Sequence, residues 1–106
     1  MSLRRRQELL QVAREYDALV ITDDVYDFLQ WPASVKSESE PLSVEQAHLP
    51  RIVDLDRYFE GGAERAGADG FGNAVSNMSF SKISSPGLRC GWCESTPKFV
   101  SGVAEV

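Results

Sequence analysis

The 106-residue sequence contains a single histidine, two cysteines, and only 11 lysines and arginines against 16 aspartates and glutamates. Each shortage removes a class of function. With His48 alone and one C-x-x-C, Cys90-Gly91-Trp92-Cys93, the chain lacks the second C-x-x-C or histidine pair that a structural zinc site needs. A net charge of −5 argues against nucleic acid or an anionic membrane as a partner. No apolar run reaches the length of a membrane-spanning helix. Arg4-Arg5-Arg6 leads into Gln7-Glu8 rather than an apolar stretch, so the start reads as a solvated helix face and not as a secretory signal. There is no internal repeat.

What remains is an ordinary globular composition, 42% hydrophobic and 25% charged, in a chain the size of one small domain. Such a chain buries roughly 60–70% of its unfolded surface. Leu3 to Tyr16 carries apolar residues near helical spacing, with Ser2 as N-cap. Asp17-Ala18 turns the chain into Leu19-Val20-Ile21, a short apolar run of the kind found in a parallel strand covered on both faces. This helix-then-strand rhythm predicts an α/β fold with a mixed, mostly parallel sheet flanked by helices. Residues 33–50 are rich in serine, glutamate and proline and read as an exposed loop insertion. Arg51 to Asp56 reads as a brief strand, and Gly61 to Gly72 as glycine-rich loop. Asn73–Phe80 and Leu88–Cys93 read as further strands, and Thr96-Pro97 as a helix start.

Chemistry concentrates between Asn77 and Trp92. Ser79 and Ser81 are two apart, so an extended strand turns both to one side and Phe80 to the other. Lys82 follows at the strand's end, because Ser84-Ser85-Pro86-Gly87 is a dense turn signal, and Arg89 returns on the next strand. Two hydroxyls, an amine and a guanidinium converging at a turn suit a phosphorylated cofactor that carries an aldehyde. The C-x-x-C is the rival signal. A thioredoxin-like site needs its first cysteine at a helix N-terminus, whereas Leu88 to Cys93 reads as a strand after a turn, which predicts two inert cysteines.

The segment S-x-S-K, with an arginine seven residues beyond the lysine and Gly91-Trp92 after it, resembles the lysine segment of class I/II aminotransferases. These are pyridoxal 5'-phosphate (PLP) enzymes of fold type I. Ile21-Thr22-Asp23-Asp24-Val25-Tyr26 resembles the same family's Asp-x-x-Tyr at the end of a buried strand. Taken alone, Asp23 or Asp24 reads as the cap of the next turn. The resemblance covers nearly the whole chain and is nearest the branch that includes 2-aminoadipate and kynurenine aminotransferases.

That resemblance implies PLP as cofactor, an amino acid and a 2-oxo acid as substrates, and a homodimeric parent protein; a cytoplasmic location is the default expectation. Lys82 would bond the cofactor's aldehyde carbon and, once displaced, serve as general base. Asp23 would pair with the pyridine nitrogen, Tyr26 with the ring's phenolate oxygen, and Ser79, Ser81 and Arg89 with the phosphate. In the family, the phosphate turn, the stacking aromatic ring and an Asn-Pro-x-Gly motif lie upstream of this segment. The arginine for the substrate carboxylate lies downstream. Residues 1–106 therefore resemble an internal fragment of the large domain, inactive by itself. Two other classes compete. One is an aminotransferase-like ligand-sensing domain of a transcription regulator, which a DNA-binding domain encoded upstream would identify. The other is a thioredoxin-like redox module using Cys90 and Cys93, which a disulfide-reduction assay would identify.

Overall fold

The computed structural model describes residues 1–29 and 49–106. His48 and nearly all of the loop expected at 33–50 lie outside the described residues.

Helix α1 spans Leu3–Glu15, and the Ser2 hydroxyl caps it by accepting from the Arg5 N–H. Leu10 and Ala13, one turn apart, are buried. The helix ends at Tyr16, and Asp17 takes a left-handed conformation (φ 49°) that redirects the chain into strand β1, Val20–Asp23. Helix α2 spans Ile52–Tyr58 and runs into a bent 3-10 segment, Phe59–Glu64. Strand β2 is Ala74–Ser79 and strand β3 is Gly91–Glu94. Between them Pro86–Leu88 forms one 3-10 turn. Helix α3, Pro97–Ala104, starts as its sequence predicts, with the Thr96 hydroxyl accepting from the Phe99 N–H.

The fold is α/β. Three strands form one mixed sheet in the order β1-β2-β3. β1 runs parallel to β2, Val20 opposite Ala74 and Asp23 opposite Asn77. β3 runs antiparallel to β2, Ser76 opposite Glu94 and Ser79 opposite Gly91. Gly91 is required there, because a Cβ at this position would lie 2.8 Å from the Met78 carbonyl oxygen of the paired strand. The core joins α1, α2 and the sheet through Ile52, Val53 and Ala74, with Leu9 and Val20 packed against them.

A buried polar hub ties these parts together. The Arg14 guanidinium, from the last turn of α1, meets the Asp56 carboxylate at 3.2 Å and donates to the Phe59 carbonyl at 3.1 Å. The other Asp56 oxygen accepts the backbone N–H groups of Asn73 and Ala74 at the start of β2. Gly72 makes room for it. With φ +74°, a Cβ on Gly72 would stand 2.6 Å from that same Asp56 oxygen.

Three expectations are corrected. Arg51 to Asp56 opens a helix and not a strand. The Asp54 carboxylate accepts from the Arg51 backbone N–H at 2.9 Å, closing the first turn, and Ile52, Val53 and Asp56 then share its buried side. β3 starts at Gly91 rather than Leu88, because Pro86–Leu88 coil and Arg89 is left-handed (φ 46°), so Arg89 precedes the strand. Finally, β1 is not covered on both faces among the described residues. The core packs on Val20, while Ile21 on the other face stays 69% exposed.

Candidate functional site

Because β1 and β2 are parallel, both present their carboxyl ends at one sheet edge. β3 is antiparallel, so the residues that lead into it lie at that same edge. Open α/β sheets bind ligands at such an edge. Three short segments meet here: the turn after β1, the turn after β2, and the Arg89-Cys90 approach to β3.

The turn after β1 begins at Asp24, whose N–H continues the strand pairing by donating to the Asn77 carbonyl at 2.9 Å. It closes when the Asp27 N–H donates to the Asp24 carbonyl at 2.9 Å, and Tyr26 stands on it. Asp23 faces outward and accepts from the Asn77 side-chain amide at 3.3 Å. Asp24, one residue on, faces the other way. Its carboxylate accepts from the Thr22 and Ser76 hydroxyls, both at 2.6 Å.

After β2 the chain coils through 80–84, where the Ser84 and Ser85 N–H groups both donate to the Phe80 carbonyl. Lys82 on this coil places its Nζ 5.8 Å from the centroid of the Tyr26 ring, a cation–π contact that joins the two turns. The Ser79 and Ser81 hydroxyls are 2.9 Å apart, and the Ser81 N–H donates to Ser79 Oγ at 3.1 Å. Phe80 instead packs its ring against Trp92, centroids 4.8 Å apart. Arg89 lies at this edge but is turned to its own turn, donating to the Pro86 carbonyl at 3.2 Å.

The residues present fit a phosphorylated pyridine aldehyde. Asp23, Tyr26, Lys82 and Arg89 are exposed and Ser79 and Ser81 half-buried, so carboxylate, phenol, amine, guanidinium and hydroxyls are open to a ligand. The redox reading loses its geometry. Cys90 and Cys93 are free and exposed, and Cys93 sits inside β3 opposite Asn77. The next helix opens only at Pro97.

Sequence reasoning missed the polar network beneath the edge. Arg51, at the cap of α2, grips Glu94 of β3 with two N–H donors at 2.7 and 3.2 Å and binds Asp54 through Nε at 3.1 Å. It also reaches Ser76 Oγ at 3.5 Å, and the Trp92 indole N–H donates to Glu94 at 2.9 Å. The bond to Glu94 raises the Arg51 pKa still further, and the same bond holds the Glu94 carboxyl below the usual carboxylate range. Burial, then the charge of Asp24, pushes Asp27 up. The available signal was the strand phase, since Thr22, Ser76 and Glu94 share the inward face that Val20 and Ala74 mark as core.

Comparison with known proteins supports an aminotransferase family. No known-family profile matches the chain, and no solved structure does. Among curated proteins it is 45% identical, over 89% of its length, to an uncharacterized protein of Saccharomyces cerevisiae. It is 34% identical over 93% of its length to the L-tyrosine:2-oxoglutarate aminotransferase atrD of Tapinella panuoides. It is 36% identical over 83% of its length to the L-tyrosine:2-oxoglutarate aminotransferase amt1 of Serpula lacrymans. The chain covers 19%, 17% and 15% of these three relatives, under a fifth of each.

Proposed function

We propose that this chain is the lysine-bearing segment of the large domain of a longer PLP-dependent aminotransferase, which moves an amino group from an amino acid to a 2-oxo acid. The observation that carries this reading is the contact between Lys82 and Tyr26. It joins the turns that follow two parallel strands, in a chain similar to named aminotransferases over about nine-tenths of its length.

PLP, when bound, supplies an aldehyde and an electron-withdrawing ring. Lys82 would hold the aldehyde through its amine and would move a proton at the substrate Cα. Asp23 would keep a proton on the pyridine nitrogen, and Tyr26 would donate to the ring's hydroxyl oxygen. Ser79, Ser81 and Arg89 would hold the phosphate. The names of the relatives support tyrosine and 2-oxoglutarate as the first donor and acceptor to try.

The test uses the longer protein with PLP. Lys82→Ala is expected to abolish turnover and covalent cofactor capture. Asp23→Asn is expected to retain cofactor and lose turnover by orders of magnitude. Activity surviving in both variants sinks the assignment. Residues 1–106 by themselves are expected to show no sustained turnover with a panel of amino and 2-oxo acids, because the three-stranded sheet of the described residues has two unpaired edges. Lys82-dependent turnover by the 106-residue chain overturns the fragment reading.

A further inference from the structure

We propose that Asp24 is a positioning residue: its carboxylate locks the turn after β1 so that Tyr26 is held against Lys82. The proposal takes the cofactor edge as its premise, but its geometric core concerns only this chain.

Asp24 lies between Asp23 and Tyr26, the two residues of that turn assigned to the ring, and does opposite work. Its side chain points inward, where one oxygen accepts from the Thr22 hydroxyl on β1 and the Ser76 hydroxyl on β2, each at 2.6 Å. Ser76 is fully buried, so this oxygen is moored to the sheet interior and across the β1–β2 seam. Ser76 Oγ also accepts from Arg51 Nη1, and Arg51 is fixed on both sides by Asp54 and Glu94. The backbone of Asp24 completes the anchor, with its N–H on the Asn77 carbonyl and its own carbonyl accepting from Asp27. The backbone at position 24 is therefore pinned at three points. Tyr26, two residues later, is half-exposed and makes its side-chain contact with Lys82 at 5.8 Å. A half-exposed ring on a two-turn contact has little of its own to define its position, so the pinned residue upstream supplies it.

The first test needs no cofactor. In the longer protein without PLP, nuclear Overhauser contacts between the Tyr26 ring and the Lys82 ε-methylene are expected to be clear. They should survive Asp24→Asn, whose amide oxygen can still accept both hydroxyls, and fall at least threefold in Asp24→Ala. Full-strength contacts in Asp24→Ala overturn the proposal. If Asp24→Ala does not fold, Thr22→Val and Ser76→Ala each remove one donor from a formed strand, and wild-type contacts in both overturn it equally.

The second test uses the longer protein with PLP and follows the pH midpoint of the cofactor's visible absorbance. Asp24→Ala should shift it in the same direction as Tyr26→Phe, and the double variant should shift it no further than Tyr26→Phe alone. Additive shifts mean that Asp24 acts apart from Tyr26 and overturn the positioning role. If no Lys82-dependent absorbance forms in the wild type, the cofactor reading fails while the nuclear Overhauser result still decides the geometry.

Discussion

The two ends of β2 are built to opposite rules. At its start, Arg14 and Asp56 are 9% and 2% exposed, both Asp56 oxygens are engaged, and one guanidinium ties α1 to α2 and the segment after it. At its finish, Lys82 and Tyr26 meet at 5.8 Å with Tyr26 54% exposed, and Asp23 holds a single 3.3 Å bond. One end is buried and ion-paired, with Arg14 Nε lacking a partner among the described residues, and the other is left reachable. A strand can serve both needs because the hub fixes its register while the far turns remain free to meet a ligand.

The sharpest break in this contrast is Asp56→Ala. It leaves the buried Arg14 charge to the longer 3.9 Å pair with the exposed Glu60 and frees two backbone N–H groups, a loss of about 3–5 kcal/mol. Against a typical domain stability of about 5–15 kcal/mol this is a large share of the margin. Urea unfolding followed by circular dichroism should show the midpoint collapse, and a shift under 1 kcal/mol would mean the hub is not structural.

Gly72→Ala tests the same end by space rather than charge. The new Cβ meets the Asp56 carboxylate and Thr96 within 3 Å at a left-handed φ, so about 1–3 kcal/mol should be lost in the same assay. Unchanged stability would show that the backbone moves away freely.

Between the two ends lies Glu94, whose folded-state pKa is lowered by Arg51. A depressed carboxyl pKa contributes stability that is present above the unfolded value and lost as pH falls through the folded one. The wild type should therefore weaken as pH drops below about 4.5, the ordinary glutamate value. Glu94→Gln should flatten that fall and cost about 1–2 kcal/mol near neutrality. Asp27 opposes the trend, since its raised pKa favours the folded state as it takes up a proton. Urea midpoints between pH 3 and 7 separate the two, and an equally steep fall in Glu94→Gln would clear Glu94 of the effect.

The smallest effect belongs to Lys82→Ala. An exposed lysine with one long cation–π contact should change stability by no more than about 0.5 kcal/mol while removing cofactor capture altogether. A large stability loss would place Lys82 with the hub and erase the contrast.

What the sequence disclosed follows the range of each signal. The caps Ser2 and Thr96 and the turn at Ser84 to Gly87 act within a few residues, and the elements they bound were readable. Arg51 to Asp56 was misread because a short apolar run fits helix or strand, and the deciding contact is Asp54 folding back onto Arg51. The positions of Asp23 and Lys82 at the ends of strands were readable from motif and turn chemistry. The bond between Ser76 and Asp24 joins residues 52 apart, and the one between Arg51 and Ser76 joins residues 25 apart, so strand phase turns these side chains inward but nothing nearby in the sequence names their partners. Ile21 was expected to be buried because its run is apolar, yet cover on a sheet face comes from elements far along the chain.

The mixed sheet also sets an order of assembly. β2 can find β3 soon after the turn at Pro86–Leu88 closes, since Ser79 pairs with Gly91 nearby, whereas Val20 must find Ala74 across half the chain. Closing a segment about four times longer costs roughly 1 kcal/mol more in chain entropy, a several-fold handicap in encounter. The β2–β3 ribbon with its Phe80–Trp92 contact thus forms early, and β1 docks late, bringing Asp23 and Tyr26 with it. On that order the two halves of the proposed cofactor site meet after the β2–β3 ribbon has formed.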